Sequence, residues 1–515
     1  MNKEQILWAD DEIDLLKPHI LFLQNKGYEV TTVTNGRDAL DAISQQNFHL
    51  IILDENMPGI SGLEALQQIK IAQPNVPVIM ITKSEEENIM NQAIGSEIAD
   101  YLIKPVNPMQ ILLSIKKNLH SEALVAQKAT SDYQQEFMSI SQQIAMASTI
   151  DDWYRLYNTL VRWELTLSNA ETGMADMLRM QKLEANSAFA KMVKRNYEKW
   201  VTTDDHPLMS NEIFKTQIFP HIDAGEKVCF IVIDNFRLDQ WRTISPLLND
   251  YFNIEKEELY TAILPTATQY ARNAIFSGLM PIDIERMFPE LWVDEDEDEG
   301  KNLNEAPLIQ TILDRYRRKC KFSYNKLNDS AAGERLVQHF AQLKNFDLNV
   351  IVFNFVDILS HARTESKMIR ELAYTDEAYR SLTVTWFKNS YVLEIFKRIA
   401  EQGWKIVLTT DHGTTRVDNA IKVIGDKNTN TNLRYKVGKN LSYNPRQVYE
   451  IKQPKRFGLP LLNVSSTYIF ASGRDFFAYP NNYNHYVQYY NDTFQHGGIS
   501  MEEMLVPLIT LTPKK

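Results

Sequence analysis

The chain has 515 residues, of which 44% are hydrophobic and 23% charged, and this balance indicates a globular protein with more than one domain. Its formal net charge of −11 argues against a surface built mainly to neutralise the phosphates of nucleic acids. Two cysteines, Cys229 and Cys320, are too few for a disulfide framework or a cysteine metal cluster.

The first residues, MNKEQILWADDE, lack the basic-then-apolar order of a signal peptide. No run of about 18 apolar residues, the length that crosses a bilayer, occurs in the sequence. We therefore expect a cytoplasmic protein without a membrane segment.

Short apolar runs alternate with helical patterns from Ile6 to about Lys117. Segments such as GRDALDAISQQ separate the apolar runs QILWA, YEVTTV, HLIILD, VPVIMIT and DYLIK. Alternation of this kind is typical of successive βα units and predicts a doubly wound parallel sheet. We assign residues 1–120 to this first α/β domain.

Polar side chains follow the apolar runs of this domain. Asp10 and Asp11 follow the first run, and Asp54 ends the third. Ligands bind beyond the carboxyl ends of the strands in open α/β sheets, so the three carboxylates are expected to converge on a site that suits Mg²⁺. Thr82 and Lys104 end the fourth and fifth runs, where a hydroxyl and an ammonium would contact a phosphoryl group on Asp54.

The acidic pair, Asp54 in LDENMPGISG, Thr82, Tyr101 and the Lys104-Pro105 step resemble the receiver domains of response regulators, which have a flavodoxin-like fold. The resemblance implies phosphorylation of Asp54, phosphoryl contacts from Thr82 and Lys104, and an aromatic switch at Tyr101. It also implies a partner histidine kinase and a phosphorylation-dependent homodimer. The implied magnesium site consists of Asp10, Asp11, Asp54 and the main-chain carbonyl of Asn56.

Residues 121–205 differ in composition from the first domain. Gln, Glu, Lys, Ala, Leu and Met dominate, Gly and Pro are almost absent, and apolar residues recur at helical spacing. We predict a connector of two or three helices.

Strand-like runs return in residues 206–515. KVCFIVID, LNVIVFNFVD and WKIVLTTD each end in an acidic residue and predict a second α/β domain. Residues 294–299 alternate Asp and Glu, and we interpret them as a solvated loop and not a metal site.

Carboxylates and imidazoles occupy positions in this domain from which they could bind a metal. Asp357 and His361 are four residues apart and would share one face of a helix. In LPTATQYARNAIFSG, Thr266 and Thr268 precede a helix-like run, so either hydroxyl would face the positive end of a helix dipole. The remaining candidates end strands or lie in a Gly-rich loop: Asp234, Asp411, His412 and His496.

The joint order of these residues resembles the two-metal core of the alkaline phosphatase superfamily, in particular its PglZ-like and nucleotide pyrophosphatase/phosphodiesterase-like members, from about residue 220 to 510. The resemblance implies that Thr268, and not Thr266, is the nucleophile. One metal would be held by Asp357, His361 and His496, and the other by Asp234, Asp411, His412 and Thr268. These nitrogen and carboxylate ligands suit Zn²⁺.

The sequence departs from that family directly after the nucleophile. Tyr270-Ala271 replaces the usual Pro-Asn, so the group that contacts the non-metal phosphoryl oxygens is open, with Arg272 as a candidate.

The order of receiver, connector and PglZ-like domain resembles the PorX-type response regulators, which implies a link to type IX secretion. We expect Thr268 to attack a phosphodiester, such as a short or cyclic oligonucleotide, and to form a covalent intermediate that water hydrolyses. Aromatic residues between 468 and 494 either stack on bases or pack in the core.

A second hypothesis is a non-catalytic module whose zinc-bound domain binds a sigma factor or kinase to regulate transcription. A threonine nucleophile among the ligands favours catalysis, because a structural zinc needs none. Sequence-specific DNA binding is not expected, because no helix-turn-helix segment is evident and the chain is acidic.

Overall fold

A computed structural model describes residues 3–83, 87–168, 172–293, 302–426, 429–463 and 465–514. The chain divides into two compact units, residues 1–131 and 132–515. The acidic run 294–299 lies outside the described residues. Over the described ranges, none of the helices combines the length and apolarity that a membrane span requires.

The first unit is a five-stranded parallel sheet with the strand order β2-β1-β3-β4-β5. All five predicted strands are confirmed, and the fold is that of a receiver. The elements are β1 Gln5–Ala9, α1 Lys17–Asn25, β2 Glu29–Val33, α2 Gly36–Gln45, β3 Leu50–Asp54, α3 Gly62–Ala72, β4 Val78–Thr82, α4 Glu87–Gly95, β5 Asp100–Ile103 and α5 Pro108–Met146, which continues into the second unit.

Alternate residues of β1 enter two different hydrophobic clusters. Leu7 and Ala9 belong to one cluster, whereas Ile6 and Trp8 belong to the other. Successive side chains of a strand point to opposite faces of a sheet, so this sheet is covered on both faces. Because both faces are packed against apolar side chains, a polar site can form only at the ends of the strands.

The connector is helical, as predicted. Its three helices are α5, which begins at Pro108, α6 Ile150–Thr166 and α7 Thr172–Thr202. Thr149 caps α6 through its side chain, which accepts a hydrogen bond from the Asp152 N–H. The predicted domain limits at 120 and 205 stay a prediction.

The second unit contains a six-stranded sheet with the order β7-β18-β10-β6-β9-β8. The strands β10, β6, β9 and β8 are parallel, whereas β18 and β7 are antiparallel additions at one side. All six residues of β6, Val228–Ile233, are buried, as expected for an inner strand of a parallel sheet.

The elements that form or follow this sheet are α8 Phe219–Asp223, β6 Val228–Ile233, α9 Leu238–Ile244, β7 Phe252–Thr261, α10 Thr268–Ser277, α11 Pro281–Met287, α12 Glu305–Arg315, β8 Phe322–Leu327, α13 Ser330–Gln338, β9 Leu348–Phe353, α14 Phe355–Glu365, α15 Lys367–Leu372, α16 Asp376–Asn389, α17 Tyr391–Glu401, β10 Lys405–Thr409, α18 Tyr483–Tyr490, α19 Met501–Met504 and β18 Leu505–Pro513. Small sheets are formed by β11 Thr415–Arg416, β12 Asn419–Lys422, β13 Tyr435–Gly438, β14 Tyr449–Ile451, β15 Thr467–Phe470, β16 Asp475–Ala478 and β17 Phe494–Gln495.

One predicted strand is shorter than its apolar run. The interpretation of LNVIVFNFVD as a strand ending in an acidic residue is wrong at its end, because β9 stops at Phe353 and α14 begins at Phe355. Asp357 therefore lies in the first turn of a helix, where a carboxylate faces the positive end of the helix dipole.

A buried ion-pair network joins the connector to the sheet domain, and its central carboxylate is Asp239. Asp239 accepts two hydrogen bonds from Arg237, at 2.9 and 2.7 Å, and one from Arg380 at 3.1 Å. Arg380 also donates to Glu164 of α6 at 2.7 Å.

We expect Asp239→Ala to lower the free energy of unfolding by about 3 kcal/mol, because it leaves buried guanidinium groups without their main partner. Urea unfolding of the full chain measures this loss. The control is Asp176→Ala, which removes an exposed pair with Arg179 at 3.5 Å and should cause no measurable change. Equal stability of the two variants would contradict the expectation.

Candidate metal centres

The first unit brings three acidic side chains together at the carboxyl ends of β1 and β3. Asp10, Asp11 and Asp54 each offer a carboxylate oxygen, and these oxygens lie within 4.8 Å of one another. Lys104 Nζ is 2.8 Å from Asp10 Oδ2 and 3.1 Å from Asp54 Oδ2. The structure thus places the predicted carboxylates and the predicted lysine at one site.

The phospho-acceptor candidate Asp54 is almost fully buried. Burial raises the pKa of Asp54, and the charge of Lys104 acts against that rise. Thr82 is buried at the end of β4, and Tyr101 is partly buried against the core cluster that contains Leu53. Asn56 is exposed two residues beyond Asp54, and its role as a carbonyl ligand stays a prediction.

The second unit assembles two groups of candidate metal ligands from neighbouring strands. Asp234 follows β6, which lies between β10 and β9 in the sheet. Asp411 and His412, which follow β10, belong to the same group as Asp234. The second group comes from α14 and the segment after β17. In each group the ligand atoms lie within 4.8 Å of one another, and the members are Asp234, Asp411 and His412, and Asp357, His361 and His496.

The buried His412 and the mostly buried His496 are oriented by main-chain carbonyls. His412 Nδ1 is 3.0 Å from Gly413 O, and His496 Nδ1 is 3.1 Å from Thr266 O. A carbonyl oxygen only accepts hydrogen bonds, so Nδ1 carries the proton in each ring and Nε2 keeps its lone pair. This orientation is the one that second-shell partners impose on metal-binding histidines.

The Nε2 atoms of these histidines point toward carboxylates. His412 Nε2 lies 3.9 Å from Asp234 Oδ1, and His496 Nε2 lies 3.7 Å from Asp357 Oδ1. Burial is the main cause that lowers the pKa of His412 to about 4 and that of His496 to about 3. Both rings are therefore neutral near pH 7, as a metal ligand must be.

The two ligand groups adjoin one another. The rings of His412 and His496 stack with their centroids 4.2 Å apart. In the second group, His361 Nε2 lies 3.5 Å from Asp357 Oδ2, and the His361 side chain is 59% exposed. One group is therefore closed and buried, and the other opens toward solvent.

Thr268 is the first residue of α10, and its hydroxyl faces the buried ligand group. Thr268 Oγ1 lies 3.4 Å from Asp234 Oδ1 and 3.2 Å from His412 Nε2. By contrast, the Thr266 hydroxyl donates to Gly498 O at 2.8 Å and accepts from the Gly497 N–H at 3.1 Å. Of the two candidate hydroxyls, that of Thr268 therefore lies beside the ligand group, whereas that of Thr266 is bonded to the main chain of Gly497 and Gly498.

The suggestion that Arg272 contacts phosphoryl oxygens is wrong for this structure. Arg272 is fully buried, and its guanidinium forms ion pairs with Asp234, Asp411 and Glu305. A guanidinium that is occupied by three carboxylates has no free fork for substrate. Glu305 carries no distinguishing pattern in the sequence, because it is a lone glutamate in the first turn of a helix.

A further unpredicted group is Asn235, which directly follows Asp234. Its Nδ2 donates to Asp357 Oδ1 at 3.2 Å and to Ser360 Oγ at 3.1 Å, and its φ is +62°. Asparagine tolerates this left-handed conformation better than most residues. Asn235 therefore links the two ligand groups through a backbone position that local sequence patterns do not reveal.

The aromatic residues between 468 and 494 fall into two sets. Five of them are core residues, whereas Tyr479 and the tyrosines of α18 are only partly buried. Base stacking as a role is thus limited to Tyr479 and α18 within this segment. The core residues are Tyr468, Phe470, Phe476, Phe477 and Phe494.

Comparison with known families matches nearly the whole chain in three parts. Residues 6–116 match the response regulator receiver domain, and residues 123–201 match the PorX response regulator linker domain. Residues 213–511, more than half of the chain, match the BREX system PglZ alkaline phosphatase-like domain.

Single relatives align over parts of the chain. The transcriptional regulatory protein ResD of Bacillus subtilis is 32% identical over 115 residues, which cover 22% of this chain and 48% of the relative. The transcriptional regulatory protein ZraR of Klebsiella oxytoca is 27% identical over 258 residues, 48% of this chain and 56% of the relative. The chain thus spans about half the length of the curated relatives it matches. A CheY-like receiver domain from Methanospirillum hungatei is 28% identical with a TM-score of 0.23, covering 23% of this chain and 96% of that one.

Proposed function

Because the chain belongs to the PglZ family of alkaline phosphatase-like proteins, as a PorX-type fusion with a response regulator receiver, we propose that phosphorylation of Asp54 controls a zinc-dependent phosphodiesterase. One observation carries this proposal: the Thr268 hydroxyl lies 3.2 Å from His412 Nε2, beside two adjoining groups of histidines and carboxylates. A purely structural metal site has no need of a hydroxyl at this position.

The donor set fits two zinc ions, one held by Asp357, His361 and His496, the other by Asp234, Asp411, His412 and Thr268. Zinc would supply Lewis-acid stabilisation of the charge that develops on the phosphoryl group. Coordination in this way needs neutral imidazoles with free Nε2 atoms, which His412 and His496 provide.

The residues of the chain position the reaction. Asp234 Oδ1, at 3.4 Å, orients the Thr268 hydroxyl, and the N-terminus of α10 places positive dipole beside the attacking oxygen. Thr268 Oγ1 attacks phosphorus, the bond from phosphorus to the leaving ester oxygen breaks, and the alcohol departs. Water then hydrolyses the phosphoryl or nucleotidyl threonine and restores the hydroxyl.

In the receiver, we infer that Asp10, Asp11, Asp54 and the Asn56 carbonyl hold Mg²⁺ and that Thr82 and Lys104 contact the phosphoryl group. A phosphodonor such as a histidine kinase supplies that group. Tyr101 would act as the aromatic switch that responds to phosphorylation of Asp54. The phosphorylated chain would form a homodimer in the cytoplasm. The match to the PorX linker supports a role in type IX secretion, and the tyrosines of α18 are candidates to stack on an oligonucleotide substrate.

Metal removal tests the catalytic proposal. After chelation, hydrolysis of bis-(p-nitrophenyl) phosphate should cease, and stoichiometric zinc should restore it, with the monoester hydrolysed more slowly. Magnesium serves as the control metal, because histidine-rich sites bind it poorly. A protein that holds two zinc ions per chain and hydrolyses neither ester would instead support a non-catalytic module that binds a sigma factor or kinase.

A further inference from the structure

Arg272 lies within ion-pair distance of two candidate metal ligands of the second unit, Asp234 and Asp411. It lies on α10 one turn after Thr268 and is completely buried. Its Nη2 pairs with Asp234 Oδ2, and its Nε lies 3.0 Å from Asp411 Oδ2. The helix that carries the nucleophile is thereby tied to two ligands of the same metal group.

The far side of the guanidinium is held by a third carboxylate. Arg272 Nη1 lies 3.2 Å from Glu305 Oε1, and the other oxygen of Glu305 accepts hydrogen bonds from Tyr324 and, at 2.9 Å, from Lys326. Glu305 is 1% exposed, so this carboxylate is as deeply buried as those of the metal group. Arg272 could therefore turn toward a substrate only by giving up its contact with Glu305, which would keep Lys326 as its basic partner.

These contacts determine which oxygen of Asp234 remains for other partners. Oδ2 is engaged by Arg272, whereas Oδ1 faces Thr268 and His412 at 3.4 and 3.9 Å. Asp411 is restrained in a similar way, because its Oδ1 accepts from the His412 N–H at 3.1 Å. The carboxylates are thus held in one orientation before any ligand arrives.

Charge gives the same guanidinium a second role. Asp234, Asp411 and Glu305 are all buried, and buried carboxylates that lack a cation are strongly unfavourable. Without metal, Arg272 is the cation that all three share. With metal bound, the charge on Asp234 and Asp411 would be compensated from the other side as well.

We propose that Arg272 is a positioning residue for the metal group next to Thr268: it orients Asp234 and Asp411 and compensates their charge while the metal is absent. The inference rests on the proposed function for the identity of the metal, but its metal-free part does not. Arg272 does not touch the reacting atoms, so its removal should act through the ligands.

Thermal unfolding of the full chain, recorded without metal and with zinc, tests this proposal. In Arg272→Met, the unfolding temperature of the metal-free protein should fall by about 5 °C, the shift expected when a buried pair loses its cation in a domain of this size. With zinc bound, the unfolding temperature of the same variant should fall by less than half of that amount. Arg272→Lys, which keeps the charge but not the planar fork, should lie between the wild type and Arg272→Met in the metal-free state.

A merely structural arginine would lower the unfolding temperature equally in both states, and that result would overturn the proposal. An unchanged metal-free unfolding temperature would overturn it too. Arg286→Met removes a surface pair with Asp283 and should leave both temperatures unchanged. If Arg272→Met does not fold, the added change Asp234→Asn should restore folding, because it removes the charge of a buried carboxylate that Arg272 contacts, and failure to do so counts against the charge argument.

The outcome is separable from that of the proposed function. A wild type without any zinc-dependent shift would reject the zinc assignment, while the metal-free comparison would still decide whether Arg272 compensates the carboxylates. A wild type that binds zinc but hydrolyses no diester would reject only the activity.

Discussion

Replacement of Thr268 by alanine should lower zinc-dependent diester hydrolysis at least about 10³-fold, because no other hydroxyl occupies the position next to Asp234 and His412 among the described residues. The three remaining ligands, Asp234, Asp411 and His412, should keep the adjacent metal bound. Initial rates on bis-(p-nitrophenyl) phosphate, with metal content determined on each protein, provide the measurement.

Two variants make this prediction specific. Thr268→Ser retains a hydroxyl and should keep substantial activity, whereas Thr266→Ser tests a hydroxyl that is bonded to Gly498 O and should remain close to the wild type. If Thr268→Ala kept both zinc ions and a tenth of the wild-type rate, attack by Thr268 would be ruled out and direct attack by water would become the better mechanism.

Asp54→Ala is expected to abolish phosphoryl transfer to the receiver. Asp54 is the carboxylate at the end of β3 that Lys104 contacts at 3.1 Å, and Asp10 and Asp11 complete its acidic surroundings. Incubation with acetyl phosphate and Mg²⁺, followed by intact-mass measurement, should show one phosphoryl group on the wild type and none on the variant. The same variant should fail to dimerise with beryllofluoride in a sedimentation experiment that detects dimers of the wild type.

Asp14→Ala provides the matched control, because Asp14 is an exposed aspartate of the same domain that pairs with Lys17 at 3.0 Å. It should be phosphorylated like the wild type. Phosphorylation of Asp54→Ala would refute the assignment of Asp54. Identical sedimentation of Asp54→Ala and the wild type with beryllofluoride would refute the phosphorylation-dependent dimer.

The first unit could be predicted almost completely, and the reason is local. The inner strands β1, β3 and β4 of this parallel sheet are largely apolar runs, whereas the edge strand β2 contains polar residues, and each strand is followed by residues that break the pattern. Asp54 and Lys104 were recognisable because they stand at the ends of such runs. Their distance of 3.1 Å then follows from the parallel topology, which brings the ends of all strands to one edge.

The second unit was only partly predictable. The parallel strands β6, β9 and β10 were evident as apolar runs, and the ligands that follow them were found. The antiparallel strand β7 was missed because six of its ten residues are exposed, which gives the charged pattern FNIEKEELYT in place of an apolar run. Its partner β18 lies more than two hundred residues away along the chain, and no local sequence pattern predicts a pairing over that distance.

The supporting groups of the metal site were the hardest to identify. The helical spacing of Asp357 and His361 indicates a shared helix face in the sequence. Glu305 and Asn235 contribute through contacts that only the folded chain creates. Its position one turn after Thr268 makes Arg272 a candidate for a phosphoryl contact, whereas its burial next to three carboxylates is visible only in the structure.

The claim that joins both units is that the receiver controls hydrolysis. The most direct test is the rate of bis-(p-nitrophenyl) phosphate hydrolysis by the zinc-loaded full chain, with and without beryllofluoride and Mg²⁺, beside Asp54→Ala. We predict a change of at least about fivefold in the wild type, the lower range of typical couplings between sites, and no change in Asp54→Ala. Equal rates in the wild type with and without beryllofluoride, or no turnover in either state, would contradict a receiver-controlled phosphodiesterase.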